Sequence, residues 1–260
     1  PAGVVNLVTA ANPAPIGEEF CTNVAVRKLT FTGSTAVGKK LAQAAAPQLK
    51  RVSMELGGHA PFIVFDDADP AHAARGVALV KFLNTGQACI SPNRIFVQRK
   101  ILAPFLQTLQ ERIGKLQAGD GMDPATSIGP LVNQAAVDKV DRQVRDAVEM
   151  GATLHAGGRR LVEGGLDRGF FYAPTLLSNI SPDMLIYREE TFGPVAAVIA
   201  FDNEADVLAM ANDTSYGLAA YVYTQNLARA MRSFEGLQFG IIGINDINPT
   251  SAAAPFGGMK

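Results

Sequence analysis

The sequence has no tryptophan, only two cysteines and three histidines, and almost no net charge. A single widely spaced pair, Cys21 and Cys89, is no disulfide framework, which predicts a reducing compartment, the cytoplasm. The histidines are scattered, without a cysteine or second histidine at ligand spacing, so we expect no metal site. A formal net charge of -1 offers no attraction to nucleic acid or an anionic membrane. No apolar run approaches the roughly 20 residues of a membrane span.

What is present is the composition of an ordinary globular protein, with 48% hydrophobic and 18% charged residues. The length of 260 residues suits one large core or two modest domains. Pro1 stands where a chain would begin with Met, and Lys260 directly follows a glycine-rich turn. We therefore expect a piece of a longer protein.

The first part of the chain alternates between strand and helix patterns. Strands are predicted over 4–8, 28–31 and 51–55, and helices over 15–22 and 36–46. This alternation is typical of a parallel sheet with crossover helices. Gly57-Gly58 marks a domain boundary.

Similar patterns continue after that boundary. Strands are predicted over 61–65, 94–98, 196–201, 218–224 and 240–244, and helices over 70–83, 101–116, 133–150, 204–212 and 227–235. In the helix over 133–150, valines at 137, 140, 144 and 148 form one apolar stripe opposite charged residues.

The run Phe31-Thr-Gly-Ser-Thr-Ala-Val-Gly-Lys39 lies between a predicted strand and a predicted helix. Unpaired N–H groups and the helix dipole favour an anion there, and Gly33 would let a cofactor approach the backbone. The run also matches most of a P-loop, but Lys40 replaces the Ser or Thr that holds magnesium, so a nucleotide triphosphate-binding module is the lesser alternative. A role of Gly33 in helix–strand packing alone stays open.

Cys89 follows Gly86-Gln87-Ala88 in a segment without helix or strand periodicity. A loop thiol near N–H groups can act as a nucleophile, whereas a lone cysteine, such as Cys21, is commonly a small buried hydrophobe. On the residues alone the two interpretations of Cys89 are balanced. Glu55 ends a predicted strand, where parallel sheets place ligands, although a solvated charge is the alternative.

The acids Glu189 and Glu190 precede Thr191-Phe-Gly-Pro194. Two neighbouring acids usually lie on the surface. An acid followed by an aromatic residue, glycine and proline can instead hold sugar hydroxyls beside a ring.

Six motifs, in their order along the chain, resemble those of the aldehyde dehydrogenase superfamily. They are Phe31-Thr-Gly-Ser34, Glu55-Leu-Gly-Gly58, Gly86-Gln-Ala-Cys89, Glu189-Glu-Thr-Phe-Gly-Pro194, Asn212-Asp-Thr-Ser-Tyr-Gly-Leu218 and Pro255-Phe-Gly-Gly258. Each is weak alone, but together they are specific. The resemblance implies an α/β parallel-sheet fold, with the second half of a Rossmann-like cofactor domain over 1–58 and an α/β catalytic domain over 59–260.

The resemblance assigns the chemistry to Cys89 and Glu55. Cys89 is similar to the family's nucleophile, which attacks an aldehyde to form a thiohemiacetal and, after hydride transfer to nicotinamide, a thioester. Glu55 is similar to the base that activates water to hydrolyse the thioester. The backbone N–H of Cys89 is similar to half of the family's oxyanion hole. Ser91 stands where some members have a second cysteine, so we expect no redox disulfide.

The resemblance also implies NAD or NADP as the cofactor. Gly33 and Ser34 are similar to the family's pyrophosphate-binding turn, and Leu56 to a residue that lines the nicotinamide pocket. Glu190 and Phe192 are similar to the contacts with the nicotinamide ribose and ring.

Several family features have no counterpart in this sequence: the oxyanion asparagine, the ribose-binding lysine, the position that selects NAD or NADP, and the strands used to oligomerise. We therefore expect this fragment alone to bind cofactor weakly and to turn over little. The full-length protein is expected to be a homo-oligomer, a dimer or tetramer.

Gln98 and Gly243-Ile-Asn-Asp246 resemble the succinate-semialdehyde dehydrogenase branch. That branch has an arginine six residues before the nucleophile, where it pairs with the substrate carboxylate. Leu83 stands there instead and cannot replace a charge-assisted hydrogen bond of roughly 1.5–3 kcal/mol. Thr250 or Ser251 is expected to contact the polar end of a small semialdehyde, with a neutral aliphatic or hydroxy aldehyde as the alternative substrate.

Overall fold

Two parallel strands and two helices form Pro1–Gly57, the first of two units in the computed structural model, which describes residues 1–260. The strands β1 (Lys28–Thr32) and β2 (Arg51–Glu55) pair in parallel. The helices are α1 (Ala14–Thr22) and α2 (Thr35–Ala45). The predictions of these four elements are confirmed within about two residues.

The strand predicted over 4–8 is wrong. The first regular element is α1, and no strand of the described chain pairs with residues 4–8. Their apolar side chains are exposed, Val5 and Leu7 to 90% each. An apolar run needs a neighbouring strand to become a β-strand, and local composition does not show whether one is present.

The second unit, Gly58–Lys260, is built on one seven-stranded sheet. Its strands are β3 (Ala60–Val64), β4 (Pro92–Gln98), β5 (Thr153–Ala156), β6 (Thr175–Ser178), β7 (Val195–Phe201), β8 (Ala219–Tyr223) and β9 (Ile241–Ile244). Their order in the sheet is β5-β6-β7-β4-β3-β8-β9, and only β5 runs antiparallel to its neighbour. The predicted α/β fold with a parallel sheet is confirmed.

Helices cover both faces of this sheet. They are α3 (Pro70–Phe82), α4 (Leu102–Ile113), α5 (Gln134–Glu149), α6 (Leu185–Arg188), α7 (Glu204–Asn212) and α8 (Leu227–Gly236). Alternate residues of β3 point to opposite faces: Ile63 joins the core with α5, while Phe62 and Val64 join the core with α3 and α4. Burial on both faces explains why β3 is apolar throughout. None of these helices is long and apolar enough to cross a membrane.

The predicted stripe of α5 is confirmed at three of its four positions. Val137, Val140 and Val144 are buried, but Val148 is 41% exposed, and Ala147 is buried in its place. An α-helix has 3.6 residues per turn, so residues spaced by four positions shift gradually around the helix. The last valine of the stripe therefore no longer faces the core.

Three loops enter neighbouring strands at the same edge of the second unit's sheet. Gly58 precedes β3, residues 86–91 precede β4, and residues 190–194 precede β7. These strands are adjacent in the order β7-β4-β3 and run parallel. Their amino ends, and the loops that lead into them, therefore meet.

Candidate functional site

The turn that carries Cys89 is packed between the two other loops at this edge. A Cβ placed on Gly58 would collide with the carbonyl oxygen of Cys89, and one on Gly86 would collide with the carbonyl oxygen of Gly193. Both neighbours are backbone atoms, which cannot rotate away. The glycines of two separate motifs are therefore required for the loops to approach each other.

The backbone before Cys89 is strained. Asn84 and Thr85 have φ values of 48° and 60°, a left-handed conformation that is costly for a β-branched residue such as Thr. The Thr85 hydroxyl donates to the carbonyl of Gly129 at 3.1 Å. Gln87 donates to the carbonyl of Pro130 at 3.2 Å and accepts from the N–H of Val132 at 2.9 Å. Contacts with residues 129–132 thus hold the strained turn in place.

The segment after Cys89 is held by Tyr221 of β8. The Tyr221 hydroxyl donates to the carbonyl of Ile90 at 2.9 Å. Burial, and then the negative charge of a Cys89 thiolate nearby, raise the pKa of Tyr221, so its hydroxyl keeps the proton it donates. Cys89 itself is partly accessible, whereas Cys21 is completely buried. The buried interpretation of Cys21 is confirmed, whereas Cys89 remains partly exposed to solvent.

Glu190 faces the same turn from the third loop. One carboxylate oxygen accepts a hydrogen bond from the N–H of Gly58 at 2.9 Å, and the other accepts none from the protein. Burial raises the pKa of Glu190 against the hydrogen bond from Gly58 and the charges of Lys139 and Lys81. The neighbouring Glu189 is bound differently, in a salt bridge of 2.9 Å to Arg142.

Phe192 follows two residues later with φ of 52°, again in the left-handed region, and its ring is partly exposed. Behind it, a Cβ on Gly193 would lie 2.6 Å from a methyl group of Val140 in α5. The loop is thus pressed against α5 while Glu190 and the Phe192 ring remain partly accessible. Their predicted contacts with the ribose and ring of a nicotinamide stay predictions.

Two basic side chains lie behind the loops. Lys81, in the last turn of α3, is fully buried and donates to Asn93 at 2.8 Å and to Ser91 at 3.2 Å. Arg94 is also fully buried, and it donates to the carbonyls of His59, Met210 and Ala211. Neither residue was predicted from the sequence to belong to the site, although a lysine within the apolar run 77–82 was a visible signal.

In the first unit, Ser34 caps α2 by accepting from the N–H of Val37 at 3.3 Å. The first-turn N–H groups of residues 35 and 36 remain without a protein acceptor, as an anion site requires. A Cβ on Gly33 would lie 2.5 Å from the ring of Phe31, so Gly33 has a visible packing role. Its predicted contact with a cofactor stays a prediction.

Glu55 ends β2, as predicted, and is partly buried. Its carbonyl accepts from the N–H of Gly33 at 3.0 Å, which joins the end of β2 to the turn after β1. Leu56 packs against Gly38 of α2, where a Cβ would collide with the Leu56 side chain. The catalytic role of Glu55 and the cofactor role of Leu56 stay predictions.

The predicted substrate residues lie in an exposed loop after β9. The Thr250 hydroxyl donates to Asn248 at 2.9 Å, and the Ser251 hydroxyl accepts from the N–H of Ala253 at 3.2 Å. These contacts are local to the loop, and the substrate role of both residues stays a prediction. Leu83, at the end of α3, is 60% exposed. The described residues contain no cluster of side chains able to hold a metal ion.

A partly exposed cysteine on a strained, tightly held turn of an α/β sheet is typical of enzymes that work through a covalent cysteine intermediate. The chain belongs to the aldehyde dehydrogenase family, whose model matches residues 1–260.

Named relatives include a probable succinate-semialdehyde dehydrogenase [NADP(+)] of Sinorhizobium fredii, 49% identical over 260 residues. They also include succinate-semialdehyde dehydrogenase [NADP(+)] of Escherichia coli, 46% identical over 260 residues. Both matches cover 100% of this chain but only 52% and 53% of the relatives, so the chain spans about half the length of the curated relatives it matches.

Solved structures of aldehyde dehydrogenases also match the fold of this chain. An aldehyde dehydrogenase from Brucella melitensis biovar abortus superposes with a TM-score of 0.95 at 46% identity, covering 100% of this chain and 52% of that one. A succinate-semialdehyde dehydrogenase from Burkholderia pseudomallei superposes with a TM-score of 0.93 at 44% identity, covering 97% of this chain and 52% of that one. This family membership favours an aldehyde dehydrogenase over the alternative of a P-loop nucleotide-binding module.

Proposed function

We propose that the protein to which this chain contributes oxidises a small aldehyde to its carboxylic acid, with NAD or NADP as hydride acceptor. The observation that carries the proposal is the turn of Cys89, which two other loops enclose while Cys89 stays partly exposed. A structural cysteine needs neither a strained turn nor access.

Cys89 acts as the nucleophile. Its thiolate bonds to the aldehyde carbon to give a thiohemiacetal, and the backbone N–H of Cys89 donates to the resulting oxyanion. Loss of hydride from that carbon converts the thiohemiacetal into a thioester. Glu55 then takes a proton from water, which attacks the thioester, releases the carboxylic acid and restores the thiolate. A separate base is needed because the sulfur is occupied during hydrolysis.

The dinucleotide, when bound, supplies only the acceptor for the hydride. The N-terminal turn of α2, with Gly33 and Ser34, would hold its pyrophosphate, since unpaired N–H groups there suit an anion. Glu190 and Phe192 would hold the nicotinamide ribose and ring, because one Glu190 oxygen accepts no protein hydrogen bond. Leu56 would line the nicotinamide pocket. In this account residues 1–58 are the C-terminal part of the dinucleotide-binding domain, with the base Glu55 near their end, and residues 59–260 are the catalytic domain that carries Cys89.

The proposed substrate is succinate semialdehyde or a similar small semialdehyde, supported by the names of relatives 44–49% identical to the chain. Thr250 and Ser251 would contact its polar end. Leu83 offers no charge to a carboxylate, which keeps a neutral aliphatic or hydroxy aldehyde as the second candidate. We also propose a cytoplasmic location and a homo-oligomer, dimer or tetramer, for the whole protein.

The test is aldehyde-dependent reduction of NAD and NADP by a polypeptide of the relatives' length that contains residues 1–260, with Cys89→Ala as the variant. We expect Cys89→Ala to abolish turnover, and Cys21→Ala, the other cysteine, to retain it. Succinate semialdehyde and butyraldehyde are compared to separate the two substrate candidates. An active Cys89→Ala variant would refute the mechanism.

A further inference from the structure

Lys81 is an unusual residue in the second unit, because its ammonium group is fully buried without an ion pair. Its side chain is 0% exposed, and none of the salt bridges of the described chain includes it. Burying an unpaired ammonium is costly, and a leucine or methionine would fill the same space at the end of α3 without that cost. The fold alone gives no reason for a cation there.

Both hydrogen-bond acceptors of Lys81 lie just after the thiol. Ser91 ends a turn in which its N–H donates to the carbonyl of Ala88 at 3.0 Å. Asn93 is the second residue of β4. The Lys81 ammonium lies 3.2 Å from the Ser91 hydroxyl and 2.8 Å from the Asn93 side-chain oxygen. The lysine therefore ties α3 to the end of the loop that carries Cys89.

The same contacts continue to Glu190. Because Lys81 donates to the Asn93 oxygen, the Asn93 amide nitrogen is left to donate, and it does so to the carbonyl of Gly58 at 3.3 Å. The N–H of Gly58 donates in turn to the Glu190 carboxylate at 2.9 Å. A chain of hydrogen bonds thus runs from the buried ammonium, past the Cys89 turn, to the third loop.

We propose that Lys81 is a positioning residue whose buried ammonium holds the Cys89 turn against α3, links it through Asn93 and Gly58 to Glu190, and favours the thiolate of Cys89. The inference rests on the proposed function of Cys89 as a nucleophile. It adds to that function a source of positive charge within this chain, since a cation held against a turn stabilises a thiolate carried on it.

The charges around Lys81 allow it to be cationic near neutral pH. Burial lowers the pKa of Lys81 to about 7, and the negative charge of Glu190 opposes that shift. The charge of Lys81 also acts on His59, whose pKa burial lowers to about 3, and Lys139 of α5 acts on both Glu190 and His59. His59 is therefore neutral at pH 7, and Glu190 is the anion that the lysine faces.

The experiment measures the rate at which iodoacetamide alkylates Cys89 between pH 5 and 10, followed by mass spectrometry of the Cys89 peptide. Lys81→Met is expected to raise the pH midpoint of the rate by about one unit or more and to slow alkylation at pH 7 about tenfold. Lys81→Gln, which keeps a neutral N–H donor for Asn93, should show the same upward shift and serves if the methionine variant does not fold.

Ser91→Ala is the matched control, because it removes one hydrogen bond and leaves the charge of Lys81 in place. Its midpoint should stay at the wild-type value. A merely structural role of Lys81 predicts a different result: a looser turn, with faster alkylation at every pH and an unchanged midpoint in the neutral variants. That result would overturn the proposal.

Alkylation requires neither aldehyde nor dinucleotide, so the two proposals can fail separately. A wild-type Cys89 that reacts at pH 7, with the same midpoint in both neutral variants, overturns the role of Lys81 and leaves the proposed function standing. A wild-type Cys89 that does not react at pH 7 while the chain is folded contradicts both.

Discussion

At the residue scale, the glycines of the site show that a motif indicates where a residue must be small, whereas only the three-dimensional structure shows which group it contacts. Glycine at positions 58 and 86 permits a close approach, and in the structure the approaching group in each case is the backbone of another loop. Gly33 gives room to the ring of Phe31. A sequence indicates that a residue must be small, whereas the identity of its neighbour depends on residues far away in the chain.

Gly58→Ala is expected to lower the free energy of unfolding by about 1–3 kcal/mol, because the added methyl group collides with the Cys89 carbonyl. Urea denaturation measures this change. Gly121→Ala is the matched control, since no atom lies within 4 Å of a Cβ at that exposed glycine. Equal midpoints for the two variants would show that the loops do not pack as tightly as described.

The buried lysine is the residue that the motifs do not reveal. Motifs around a nucleophile direct attention to loops, but Lys81 belongs to a helix and acts through Ser91 and Asn93. Its contacts join α3 to β4, and no spacing rule predicts which side chains a helix end will meet.

At the element scale, patterns predicted the longer helices and strands well because each carries several independent signals. Asp69 caps α3 and Asn133 caps α5, and both are residue types that favour the N-cap position. The strands β5 and β6 and the short helix α6, of 4 residues each, were missed, since so few residues give a weak periodic signal; β9 is as short, but its three isoleucines indicated a strand. The segment over 4–8 failed for the opposite reason, having the composition of a strand without a partner.

Helix α5 offers a test within one element. Val144→Ala should lower the free energy of unfolding by about 2 kcal/mol, because Val144 is buried and two methyl groups leave the core. Val148→Ala, the same change one turn later at a position 41% exposed, should stay within about 0.5 kcal/mol of the wild type. Thermal or urea unfolding distinguishes them, and equal losses would contradict the described rotation of the stripe.

At the scale of the whole molecule, the ordered motifs predicted the family and the parallel sheet, which the comparisons and the strand order confirm. The edge that carries the candidate site could not be predicted, because it depends on β7, β4 and β3 being neighbours in the sheet although distant in sequence. Leu83, Thr250 and Ser251, the residues on which the substrate prediction rests, are exposed, and their role stays a prediction.

The central claim is that Cys89 carries the acyl group as a thioester and that Glu55 activates the water that hydrolyses this thioester. The most direct measurement is the mass of the Cys89 peptide after rapid quenching during turnover, in a Glu55→Gln variant of a polypeptide of the relatives' length that contains this chain. The account predicts a normal first burst of reduced dinucleotide and then a stalled thioester on Cys89, since the amide cannot take a proton from water. Steady turnover with no acyl group on Cys89 would contradict it.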